Sequence, residues 1–202
     1  MNQIQWNLNN FTKVAFTRLI QPFGDNPNDV VKITKAFGFA ANVYSGLFRN
    51  ESHEPYINHA MKVALILSDE LKVHDVDTIC AAILHEAIEK SKDDREIVEF
   101  LKSNFGENVY VTIKTLTEPI TNEGNREKLL VNYFDNISKG PKMPRFIKLA
   151  DRLDNARFLK NDRKKEKALR YKEETQKYIL PLAEKTDDTM ALKLSIALYE
   201  IK

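Results

Sequence analysis

Ala81-Ala82-Ile83-Leu84-His85-Glu86-Ala87-Ile88-Glu89-Lys90 is the stretch on which the reading of this chain turns. Four apolar residues lead straight into a histidine and a carboxylate, and a second carboxylate follows one turn on. The spacing predicts one continuous buried helix. On it His85 and Glu89, four positions apart, share a face. Imidazole and carboxylate side chains are rarely set on a core-facing helix without a partner. A bound metal ion would supply one. The plain alternative is an ion pair between Glu86 and Lys90, which stand at i and i+4.

Two further pieces point the same way. Ile147-Lys148-Leu149-Ala150-Asp151-Arg152-Leu153-Asp154-Asn155-Ala156-Arg157 repeats the pattern of an apolar lead-in followed by an acid. Asp151 and Asn155 share a face there, with Asp154 close to it. Pro55-Tyr56-Ile57-Asn58-His59 opens a helix directly after the polar loop Arg49–Pro55. Taken singly, each is weak. A lone histidine is more often a hydrogen-bonded core residue, and Asp151 with Arg152 reads equally as a salt bridge. Taken together, His59, His85, Glu86 and Asp151 offer two nitrogens and two oxygens, a set suited to Mn²⁺, Fe²⁺ or Zn²⁺. Four protein ligands on a six-coordinate ion leave room for water and a substrate oxygen, as metal-assisted hydrolysis requires.

The rest of the chain frames these blocks. With 6 Gly and 7 Pro in 202 residues, and helix formers abundant, the composition favours an all-α fold. Apolar periodicity predicts a bundle of about ten helices. Residues 1–30 read as a leading helix and a turn-rich loop, and 31–202 as the main domain. Asp75 is placed to cap the His85 helix, and Asp93 or Asp94 the next. Gly106 suits a helix end. Residues 107–116 alternate enough to permit strand, though their neighbours favour helix. The charged run 161–174 mixes both signs and reads as a solvated helix face. A net charge of +2 argues against a broad nucleic-acid surface. The single Cys80 fits a reducing, cytoplasmic setting and buried packing. The N-terminus lacks the cationic start and apolar core of a signal peptide. No run reaches the roughly 20 apolar residues of a membrane span, so no membrane partner is expected.

In their order, these blocks resemble the alarmone hydrolase domain of the RelA/SpoT family, within the HD phosphohydrolase superfamily. The matching pieces are PYINH at 55–59 with Val63-Ala64, AAILHE at 81–86, FGENV at 105–109, KLADRLDNAR at 148–157, and Glu174-Thr175, Tyr178 and Pro181-Leu182-Ala183. The likeness covers roughly residues 33–185, and the 26 positions from His59 to His85 suit the family's separation. It implies an all-helical fold, one Mn²⁺, and hydrolysis of the 3′-pyrophosphate of guanosine tetra- or pentaphosphate to GDP or GTP and pyrophosphate. It also implies metal ligation by His59, His85 and Asp151, water activation by Glu89, and a nucleotide contact at Asn155.

The chain departs from the family at several positions. The family's His-Asp is His85-Glu86 here, and its Glu-Asp pair is Glu89-Lys90. Lys90 is no general base when protonated, but it is suited to hold a phosphate oxygen or to pair with Glu86. In the loop before PYINH, Arg49 sits one position early, Glu51 replaces a lysine and Ser52 remains. Phe158 follows the KLAD block where the family has threonine, and suits either base stacking or core. Arg152 and Arg157 read equally as phosphate contacts or ion-pair partners. Two other readings stand beside (p)ppGpp hydrolysis. One is the same chemistry on another nucleotide phosphate, such as NADPH or a pyrophosphorylated tRNA 3′ end. The other is an inactive nucleotide-binding module.

Overall fold

The structure, a computed structural model, describes residues 8–49, 52–91, 94–120, 122, 124–159 and 165–202. The chain forms two compact units, Met1–Thr117 and Glu118–Lys202. Both are helical, as the composition predicts. Among the described residues the strand content is one two-residue hairpin.

In the first unit, α1 (Asn10–Ile20) leads through a 3-10 turn into α2 (Pro27–Val43). The hairpin β1 (Phe48–Arg49) and β2 (Glu54–Pro55) follows, then α3 (Ile57–Leu65), extended by a π turn at Ile66–Glu70. Next come α4 (Val76–Leu84), α5 (Ala87–Lys90), α6 (Asp94–Phe105) and α7 (Glu107–Leu116). Side chains start these helices where the main chain leaves N–H groups unmet. Asn9 and Thr12 form a reciprocal capping box on α1. Asn26 caps α2 with Pro27 at its first position. Asp75 accepts from the Thr78 N–H at 2.8 Å and starts α4, as its position predicts. Helix α4 packs against α2, α3 and α7. It therefore buries every residue from Thr78 to Leu84, with Ile79, Ile83 and Leu84 at 0% exposure. Each such side chain contributes about 1.5–3 kcal/mol of burial. Cys80 lies among them, and burial pushes its thiol up to about 12.

The second unit holds α8 (Arg126–Lys139), α9 (Lys142–Leu159), α10 (Lys165–Glu174), a π turn at Thr175–Ile179, α11 (Leu180–Thr186) and α12 (Asp188–Tyr199). Helices α11 and α12 pack on α9. Asp187 caps α12 by accepting from Met190 N–H at 2.8 Å. The 18-residue α9 is the spine, with Ile147, Leu149, Ala150 and Leu153 fully buried.

Two local expectations change. Residues 81–90 are not one helix: α4 stops at Leu84, His85 and Glu86 form a turn, and α5 resumes at Ala87. The loop 49–55 carries antiparallel pairing, with Phe48 opposite Pro55 and Arg49 opposite Glu54. Residues 107–116 are helix, as their neighbours favour, and Gly106, at φ +89°, makes the reversal between α6 and α7 that a Cβ would strain. Helix α6 opens at Asp94, while Asp93 and residues 161–164 of the charged run lie outside the described residues. The described part of that run, α10, buries Ala168, half-buries Tyr171, Lys172 and Glu174, and leaves its other residues exposed. No helix among the described residues is long and apolar enough to cross a membrane.

Candidate metal centre

The first unit brings His59 and His85 together at the start of α3 and the end of α4. The hairpin delivers Tyr56, whose N–H donates to Leu47 O at 3.0 Å. His59 then falls in the first turn of α3, its N–H bonded to Tyr56 O. Beside it, the buried Asn58 amide oxygen accepts from the Thr12 hydroxyl at 2.6 Å, tying α1 to this turn. His59 is 2% exposed and His85 5%. Their rings stand 5.2 Å apart, near edge to face.

The proton on His85 can be placed by chemistry. Its Nδ1 lies 2.8 Å from Ala82 O. A carbonyl oxygen only accepts, so Nδ1 carries the hydrogen and the neutral ring keeps its lone pair on Nε2. A main-chain carbonyl fixing one nitrogen is the usual support for a histidine that ligates metal through the other.

Glu86 tests whether the donors fit an ion. Its Oε2 is buried and has no hydrogen-bond partner among the described residues. The nearest described basic nitrogen is His59 Nε2 at 4.0 Å, beyond hydrogen-bond range. Burying an unsatisfied carboxylate oxygen costs several kcal/mol unless a cation meets it. The longer Glu86 thus brings its oxygen to the His59 nitrogen, and two nitrogens and an anionic oxygen make a donor set that suits a divalent cation.

Around this pair, Glu89 is exposed and Lys90 is half-buried. The Lys90 ammonium lies 4.9 Å above the Tyr56 ring, and Tyr56 meets the rings of His59 and Tyr44 edge-on. The expected link between Glu86 and Lys90 is made by the main chain, Lys90 N–H to Glu86 O at 3.0 Å. Ser52 closes the hairpin turn: its hydroxyl donates to Arg49 O at 2.6 Å and accepts from Glu54 N–H. Arg49 is 5% exposed. Glu51 lies outside the described residues.

The second unit presents Asp151 from an unbroken α9. Asn155, one turn on, donates to Asp151 Oδ1 at 2.6 Å. Lys148, one turn back, lies 3.2 Å from Oδ2 and 2.7 Å from Glu118 Oε1. Burial works against the Lys148 ammonium, but Tyr133, Asp151 and Glu118 outweigh it, and its pKa lies well above the ordinary lysine value. Conversely, Lys148 holds the Glu118 carboxyl below its ordinary 4.5.

Arg152 faces inward. Its Nη2 meets Glu174 at 2.8 Å and Glu118 at 3.5 Å, and its guanidinium lies over the Tyr171 ring at 4.8 Å. Of the two roles open to it, the structure shows the ion pair. Phe158 and Arg157 are half-buried on the last turn of α9.

Sequence reasoning missed Lys148, Glu118, Tyr44 and Tyr56. Lys148, three positions before Asp151, was legible as a helix neighbour. Tyr56, three positions before His59, was legible in the same way, while Glu118 and Tyr44 reach their places through tertiary packing and carry no local signal.

A family model described as HD domain matches residues 36–128. The chain is 33% identical over 129 residues to the guanosine-3′,5′-bis(diphosphate) 3′-pyrophosphohydrolase MESH1 of Drosophila melanogaster, which spans 63% of this chain and 69% of that protein. It is 34% identical over 140 residues to the MESH1 enzyme of Danio rerio, covering 66% and 72%. A bacterial guanosine-3′,5′-bis(diphosphate) 3′-pyrophosphohydrolase from Aquifex aeolicus is 36% identical over 162 residues, 78% of this chain but 22% of that longer protein. Among solved structures, a metazoan ortholog of SpoT described as hydrolysing ppGpp superposes with a TM-score of 0.73 at 26% identity, covering 84% of this chain and 94% of that one. With a third of the aligned residues identical over more than two thirds of the length of both MESH1 proteins, the chain belongs to the HD-domain family of guanosine-3′,5′-bis(diphosphate) 3′-pyrophosphohydrolases.

Proposed function

We propose that this protein removes pyrophosphate from the 3′ position of guanosine tetra- or pentaphosphate, giving GDP or GTP. Residues 31–202 act as its catalytic domain, in the cytoplasm. His59, His85, Glu86 and Asp151 hold one Mn²⁺ ion. The observation that carries the reading is the buried Glu86 oxygen beside His59, with no proton donor to meet it among the described residues. The group His59, His85 and Asp151, all buried, has the donor chemistry to hold a metal ion. The named relatives act on this nucleotide.

A divalent ion at these ligands supplies Lewis acidity and offsets phosphate charge. The remaining roles fall to side chains. Glu89, solvent-accessible one turn beyond His85, accepts the proton of the attacking water. That water adds to phosphorus, the bond from the 3′ oxygen breaks, and the oxygen leaves protonated. Lys90, its ammonium held on Tyr56, meets a phosphate oxygen. Arg49 and Ser52 shape the hairpin beside the nucleotide, Asn155 orients Asp151, and Phe158 faces the base. Arg152 acts as a positioning residue through its ion pairs.

Purified protein with Mn²⁺ should release pyrophosphate from ppGpp, and Asp151→Ala should not. Lys90 in place of a carboxylate favours a second reading, the same chemistry on another phosphorylated nucleotide. Turnover of NADPH or pyrophosphorylated tRNA, with ppGpp untouched, would select it. Nucleotide binding without turnover of any of the three would leave a regulatory module.

A further inference from the structure

The interruption of the helix at His85–Glu86 is met by a side chain that lies outside that helix. In a continuous α-helix the Glu86 N–H would donate to Ala82 O, and Ile83 O would accept from Ala87. Here the His85 ring takes Ala82 O at 2.8 Å. Glu86 turns out of helical geometry, at φ −104° and ψ 9°. Two main-chain groups are thereby left to find partners in a buried setting, where an unmet group is costly.

One side chain reaches both. Tyr44, the residue that ends α2, is 2% exposed. Its hydroxyl lies 3.4 Å from Ile83 O and can donate there. The same oxygen meets the Glu86 main chain, in a contact that favours the phenolate and so comes from an N–H donor. The phenol thus donates to the carbonyl before the break and accepts from the amide within it. Its ring is fixed in turn by the edge of Tyr56 at 5.7 Å.

We infer that Tyr44 is a positioning residue for the metal centre: its hydroxyl replaces the helical rungs missing at His85–Glu86 and so holds both side chains toward His59. The inference rests on the proposed metal reading for its functional consequence. Its structural half stands without an ion, and the test separates the two.

Tyr44→Phe removes one oxygen and keeps the ring. In metal-free protein, the Glu86 amide should exchange with deuterium about tenfold faster, while the amides of Ala82 to Leu84 keep their protection. Titration with Mn²⁺ alone should then show about tenfold weaker binding than wild type, the range expected when support behind a ligand is lost. The loss should shrink in an Glu86→Ala background, because the hydroxyl acts through that residue. Unchanged exchange at Glu86 would overturn the inference. So would faster exchange with unaltered Mn²⁺ affinity, or an equal penalty with and without Glu86. Wild-type protein that takes up no Mn²⁺ would refute the metal reading instead, and with faster exchange the hydroxyl's hold on the break would stand.

Discussion

The turn at His85–Glu86 and the Asp151 stretch of α9 look alike in sequence and are built in opposite ways. Each follows an apolar run with an acid. At His85–Glu86 the helix breaks, and a main-chain carbonyl released by the break holds the His85 ring. Around Asp151 the helix runs on, and neighbouring side chains on the same face take both carboxylate oxygens. The first arrangement draws its order from hydrogen bonds to the backbone. The second draws it from charge. One lesson follows: similar patterns of polar residues within apolar runs can place a ligand by geometry or by electrostatics, and salt, pH and substitution should tell them apart.

The sharpest test is deletion of each proposed ligand. His85→Ala and Asp151→Ala should both lower pyrophosphate release at least about a thousandfold, equivalent to ~4 kcal/mol in the barrier. Residual activity in only one of them would show that the two blocks are not equally committed to the reaction. Next comes stability. Arg152→Met strips the buried cation from Glu174 and should cost about 3 kcal/mol in urea unfolding. A loss under 1 kcal/mol would argue that the second region is not held by charge.

Lys90→Ala tests the first region in the same way. It removes an ammonium held over Tyr56, so unfolding should shift by only ~0.5–1 kcal/mol. The smallest effect concerns acid. The folded-state pKa of Glu118 is depressed, so its contribution is complete above the ordinary value of 4.5 and fades as pH falls through the lowered one. Half its surface meets solvent, which screens the pairing. Melting curves of Glu118→Gln should therefore converge on wild type only at the acid end of the range.

Much of this molecule was legible in its residues. Helical periodicity marked the class, Asp75 marked the start of α4, and His59, His85 and Asp151 stood out as polar residues beside apolar runs, where the structure buries them. The break after Leu84 was not legible, because no glycine or proline announces it. It arises when the His85 ring captures Ala82 O, and it is met by a phenol 39 positions earlier in the chain. Arg152 shows the same limit. Its carboxylate partners lie 22 and 34 positions away, where no i, i+4 rule reaches. Phe48 pairing with Pro55 was hidden for a different reason, since two-residue strands carry no periodicity to detect.

Cys80 sits at 0% exposure with its thiol raised to about 12, so at neutral pH it offers alkylating reagents almost no thiolate. A second cysteine placed at the outward-facing Leu192 or Tyr199 would consequently be the sole target of a maleimide dye. The native chain is already a silent background for fluorescence work, and no residue of its core has to be altered first.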